Sequence, residues 1–180
     1  MRPVRPSRSS AESRYREVRL AALKVAENIA SEQLAPRLVH LDIIASAALE
    51  AVQKEWDGHP GRRYPWPWRE ILENARKNEP DRFEVAVWSG DTLCGLAVGR
   101  TRTEFCRVDY LEGAPAPDHP LRGSVTIIVF GAVVAYATAL GKAEIRLMDP
   151  IPAVVSHYVG LGFTLANPKG GTPYCWWKVT

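Results

Sequence analysis

The feature that most limits how this chain can fold is a change of hydrophobic period near residue 80, followed by a helix set between two strands. Up to about residue 78 the apolar residues recur at three- and four-residue steps, the spacing of one helix face. Beyond Glu79-Pro80-Asp81 they alternate, with Phe83, Val85 and Val87 separated by Glu84 and Ala86. Ser89-Gly90-Asp91 carries hairpin-turn residues, and residues 93–99 supply the return strand. A third strand is expected over 105–111, with Val108 and Tyr110 on one face and Asp109 and Leu111 on the other. After a proline-rich loop, residues 125–140 read as an apolar helix stopped by Gly141, and residues 143–148 as a strand again. Strand, crossover helix and strand place two strands side by side in parallel. The expected class is therefore α/β (α+β), a mixed, mostly antiparallel central sheet flanked by helices.

The residues before the sheet are helical in pattern. Tyr15, Val18, Ala22, Val25 and Ile29 mark a first helix over 13–33, and a second is expected over 36–56 with Leu38, Leu41, Ala45, Ala48 and Val52 on one side. Asp57-Gly58-His59-Pro60-Gly61 stops it. Residues 62–66 read as an extended strap, in which Tyr64, Trp66 and nearby Trp68 alternate with prolines. A third helix follows over 67–78. Residues 1–10 combine Arg2, Arg5 and Arg8 with prolines and serines, too little apolar surface to order a segment. The expected organisation is a disordered basic tail over 1–10, a helical extension over 11–60 and a core domain over 61–180. Past residue 148, a short helix over 152–161 and an aromatic strand over 174–179 complete the pattern.

Composition narrows the function classes. The 180 residues suit one domain with an extension. Three scattered cysteines form no CxxC pair and imply no secreted disulfide framework. The four histidines are equally dispersed, so no metal site is expected. No apolar run reaches the roughly 18–20 residues of a membrane span, and the first residues lack the apolar stretch of a signal peptide. A cytoplasmic protein is the expectation. A net charge of +3 suits an anionic small molecule and does not argue for nucleic acid. Arg14, Arg16, Arg19 and Lys24 make the first helix basic, which reads as a solvated face; that helix is also the candidate surface for a homodimer or another partner.

The segment Ser156-His157-Tyr158-Val159-Gly160-Leu161-Gly162-Phe163, placed after strand–helix–strand, resembles the GNAT superfamily of acetyl-CoA-dependent N-acetyltransferases. Tyr158, Leu161, Gly162 and Phe163 match that family's Tyr-x-x-Leu-Gly-Phe ending. The resemblance implies an acyl-CoA N-acyltransferase-like fold and transfer of acetyl from acetyl-CoA to an amine. It implies that the fourth and fifth strands splay and that acetyl-CoA lies between them. Its pyrophosphate would meet Arg122, Gly123, Ser124 and Val125 at a helix start, its thioester the strand backbone near Leu111, and Tyr158 would protonate the departing thiolate. Of the two acidic residues on that strand, Asp109 and Glu112, the latter is the expected base. The loop departs from the family pattern, with Val125 and Ile127 where glycine or alanine is usual. That departure keeps open a GNAT-fold binding or regulatory module without catalysis. His119 reads as a surface-loop residue, and the aromatics as packing between helices and sheet.

Overall fold

A computed structural model describes residues 7–180. The expected tail falls largely outside it, but its last residues do not: helix α1 spans Arg8–Leu34, and the Ser10 N–H donates to the hydroxyl of Ser7 at the N-cap. Strand β1 (His40–Asp42) follows, then helix α2 (Ser46–Ala51), which widens into a π-helical turn over Val52–Trp56. Helix α3 is Trp68–Asn78. The meander is β2 (Phe83–Ser89), β3 (Thr92–Thr101) and β4 (Phe105–Gly113). Helix α4 (Val125–Ala139), β5 (Glu144–Met148), α5 (Pro152–Gly160), β6 (Thr164–Ala166) and β7 (Tyr174–Lys178) complete the chain.

The strands form one seven-stranded sheet in the order β1-β2-β3-β4-β5-β7-β6. Only β4 and β5 run parallel, the pair joined by the α4 crossover. Two strands escaped the sequence reading, β1 inside the expected second helix and β6 after α5. Each has three residues, too few for a period of two to show.

Two cores cover the sheet. On one face α1 and α4 bury Leu23, Ala26, Val129, Val133 and Tyr136 against Val85, Ala97, Cys106 and Ile145. On the other, α2 and α3 bury Ala48, Trp56, Trp68 and Leu72 against Ala86, Leu96 and Val98. The helix expected as an extension thus shares the main core. Arg19, counted with its basic face, is 1% exposed and donates to the carbonyls of Arg82 and Pro80 (2.9 and 3.1 Å). Arg82 in turn bonds both oxygens of Glu12 and reaches Glu84 (2.8 Å), fastening α1 to the start of β2. Cys94, Cys106 and Cys175 are buried, and burial pushes the Cys106 thiol up to about 12. No described helix is long and apolar enough to cross a membrane.

Candidate active site

The site lies where β4 and β5 part. They pair only from Phe105 with Glu144 to Val108 with Leu147; β4 then runs on to Gly113 while β5 ends at Met148. The parting begins at a bulge. Val98 lies opposite Tyr110 but Gly99 opposite Val108, so Asp109 is the extra residue and β4 bends there. A Cβ on Gly99 would stand 1.8 Å from the Arg107 carbonyl oxygen, so only glycine lets β3 approach. The bulge also corrects the expected facing. Val108 and Leu111 pack with the α4 core and Tyr110 with the α3 core, because the extra residue shifts the alternation by one.

Beyond the bulge β4 has an open edge. The Ala114 N–H donates to the Cys94 carbonyl (2.9 Å), which sets the hydrogen-bonding parity of the ladder. Tyr110 and Glu112 therefore turn their backbone groups to β3, whereas Leu111 and Gly113, opposite Ala97 and Gly95, turn theirs into the gap left by β5. A cleft of about 790 Å³ occupies that gap.

At one end of the cleft is the loop leading into α4. His119, Arg122 and Thr126 line it. His119 is not the surface residue expected: it is 9% exposed, and its Nδ1 is buried with no partner among the described residues. A turn in which the Arg122 N–H donates to the His119 carbonyl (3.1 Å) folds it inward. Burial, then the charge of Arg122, pushes its pKa down, so the ring is neutral. Gly123 has φ 78, a left-handed conformation suited to glycine. Ser124 gives no side-chain cap, and the N–H groups of Val125, Thr126 and Ile127 lack acceptors within the helix, leaving an uncapped positive helix end. The two branched residues that depart from the glycine pattern do not line the cleft. Val125 is buried against Gly95, where a Cβ would stand 2.3 Å from Val125 Cγ1, and Ile127 lies in the groove between α1 and α4.

Helix α5 forms a wall with Tyr158, whose ring packs on Phe130 and Phe163 with centroids 5.7 and 6.5 Å apart. Burial, with a contribution from Cys175, pushes the phenol above its ordinary value, and its hydroxyl bonds no described protein group. The strap over residues 57–67 forms the roof. Arg62 donates from Nε to Glu112 Oε1 (2.7 Å) and from Nη2 to Glu112 Oε2 (3.0 Å), and the Trp68 indole donates to Oε2 (2.6 Å). The Arg62 and Glu112 side chains are 5% and 10% exposed. The Glu112 hydrogen bond, opposed by burial, raises the Arg62 pKa and keeps the guanidinium charged. A Cβ on Gly61 would stand 2.7 Å from the Pro115 carbonyl, so the strap closes directly onto the loop before α4.

Of the residues singled out from sequence, Leu111, Glu112, Arg122 and Tyr158 line one cleft, and Gly123, Ser124 and Val125 sit at the helix start beside it. Arg62 and His119 are the residues that sequence reasoning passed over in building the site. Arg62 meets Glu112 across 50 positions, and no local spacing connects them. No cluster of three or more His, Cys, Asp or Glu among the described residues could hold a metal.

A splayed parallel pair, an open strand edge and an uncapped helix end define the GNAT acetyltransferase fold, and solved structures share it. The chain is similar to the N-acetyltransferase PaiA of Thermoplasma acidophilum, solved in complex with coenzyme A, at 15% identity over 78% of this chain and 98% of that one (TM-score 0.52). It is also similar to an acetyltransferase of Streptococcus agalactiae (10% identity, 78% and 98% covered, TM-score 0.59). A third is the N-acetyltransferase PseH of Campylobacter jejuni (15% identity, 79% and 99% covered, TM-score 0.54). No protein-family model and no curated protein matches the sequence.

Proposed function

We propose that the chain is an N-acetyltransferase that binds acetyl-CoA in the β4–β5 gap and passes the acetyl group to an amine. The observation that carries this reading is the open β4 edge at Leu111 and Gly113, facing a cleft that ends at an uncapped helix. An extended pantetheine arm pairs with such an edge as an added strand would. The pyrophosphate takes the helix end, where the backbone N–H groups of residues 123–126, Arg122 and the unpartnered His119 nitrogen offer donors. The PaiA structure was solved in complex with coenzyme A, which supports this choice of ligand.

In this reading the amine attacks the thioester carbonyl directly, and the backbone N–H groups near residues 111–113 stabilise the oxyanion. The C–S bond then breaks, and the Tyr158 phenol, kept protonated at neutral pH by its raised pKa, gives its proton to the thiolate. Glu112 takes a positioning part: both oxygens are occupied by Arg62 and Trp68, so it holds the strap over the cleft. The test is calorimetric titration with acetyl-CoA. Saturable micromolar binding is expected; no binding up to millimolar ligand overturns the reading and favours a GNAT-fold module without catalysis.

A further inference from the structure

Three carboxylates line the cleft: Asp109, Glu112 and Asp149. Two are committed. Glu112 is held by Arg62 and Trp68, and Asp109 lies 3.0 Å from Arg100 and 2.9 Å from Arg107. Asp149 makes no ion pair or side-chain hydrogen bond among the described residues. It stands where β5 ends, with φ 47, the one described non-glycine residue with positive φ, and its N–H donates to the Pro173 carbonyl (2.8 Å). The tertiary structure therefore presents a solvated, unpaired carboxylate across the gap from the loop that carries Arg122.

The cleft's free positive charges belong elsewhere. Arg63 follows the Gly61–Pro115 contact by two residues, so it and Arg122 both flank the loop before α4. The aromatic side chains of Tyr64 and Trp66 line the same cleft, and Trp66 is set edge-on to Tyr110 at 5.0 Å. A carboxylate and aromatic faces together suit an ammonium group, and the same carboxylate repels an amine that carries its own carboxylate nearby.

We propose that Asp149 is the acceptor-recognition residue and that the acceptor is a cationic alkylamine or diamine, not an amino acid. The naming of this end of the cleft as the acceptor side rests on the acetyl-transfer reading; the binding of a cation there does not. The full chain, as wild type and as Asp149→Asn, is titrated with butylammonium, 1,4-diaminobutane and butyrate, followed by NMR. Asparagine keeps the left-handed backbone and the shape and removes only the charge. Both ammonium probes are expected to bind the wild type while butyrate does not, and Asp149→Asn weakens them about tenfold or more. Equal affinity in the variant, no ammonium binding by the wild type, or butyrate binding as well as butylammonium overturns the proposal. Acetyl-CoA titrated into the same samples separates the two readings. Lost acetyl-CoA binding with Asp149-dependent ammonium binding sinks acetyl transfer alone; the converse sinks only the role of Asp149.

Discussion

Replacing Glu112 by alanine removes three hydrogen bonds at once, two from the Arg62 fork and one from the Trp68 indole. Arg62 is then left as a nearly buried guanidinium whose remaining partners are the Trp66 carbonyl and the half-exposed Asp57. Breaking a buried ion pair from one side costs about 3–5 kcal/mol. The surviving Asp57 contact takes the expected value to the lower end, about 3 kcal/mol, and at this chain length that lowers Tm by roughly 6–12 °C. The double variant Glu112→Leu with Arg62→Met leaves no orphaned charge and recovers most of the loss, a coupling of at least about 1 kcal/mol. The assay is thermal and denaturant unfolding of the wild type, both single variants and the double variant. An unchanged Tm in Glu112→Ala, or single effects that simply add, refutes the positioning role. A fall in turnover in Glu112→Gln with Tm untouched and a lost basic limb in the pH–rate profile would return Glu112 to the role of base.

Tyr158→Phe is expected to lower turnover by about 100-fold while calorimetry shows acetyl-CoA affinity nearly intact; equal turnover removes Tyr158 from the mechanism. Gly99→Ala forces the bulge apart, since its Cβ would meet the Arg107 carbonyl at 1.8 Å; a loss of about 2–4 kcal/mol in urea unfolding is expected, and a neutral variant refutes the close-approach argument. Burial pushes the Glu12 carboxyl up, but the hydrogen bond and charge of Arg82, with Arg19 behind it, hold it below its ordinary value. Its folded pKa thus lies below its unfolded one, near 4.3. The stability it gives is complete above that unfolded value and is lost as pH falls through the folded one. Glu12→Gln should flatten the acid limb of a stability-versus-pH curve and lower stability at pH 7; an unchanged curve refutes the role of Glu12 in fastening α1.

The order of elements from residue 68 onward was legible in the sequence because each long element announces itself locally. The alternation of Phe83, Val85 and Val87, the apolar run of α4 and the Leu-Gly-Phe end of α5 all depend on neighbours within a few positions. So did the placing of Tyr158 and Arg122 at element ends. What sequence could not settle depends on contacts between distant segments. Val125 and Ile127 read as obstacles in a phosphate loop until Gly95, thirty residues earlier, was found to receive the valine and α1 to flank the isoleucine. Glu112 looked like a free carboxylate until the strap brought Arg62 and Trp68 to it. His119 and Asp149 were ordinary loop residues, and only the fold left one with a buried unpartnered nitrogen and the other as the uncommitted carboxylate of the cleft. Periodicity is a short-range property of the chain and survives in one dimension. Burial, pairing and the vacancy of a charge are properties of the packed whole, and only the tertiary structure decides them.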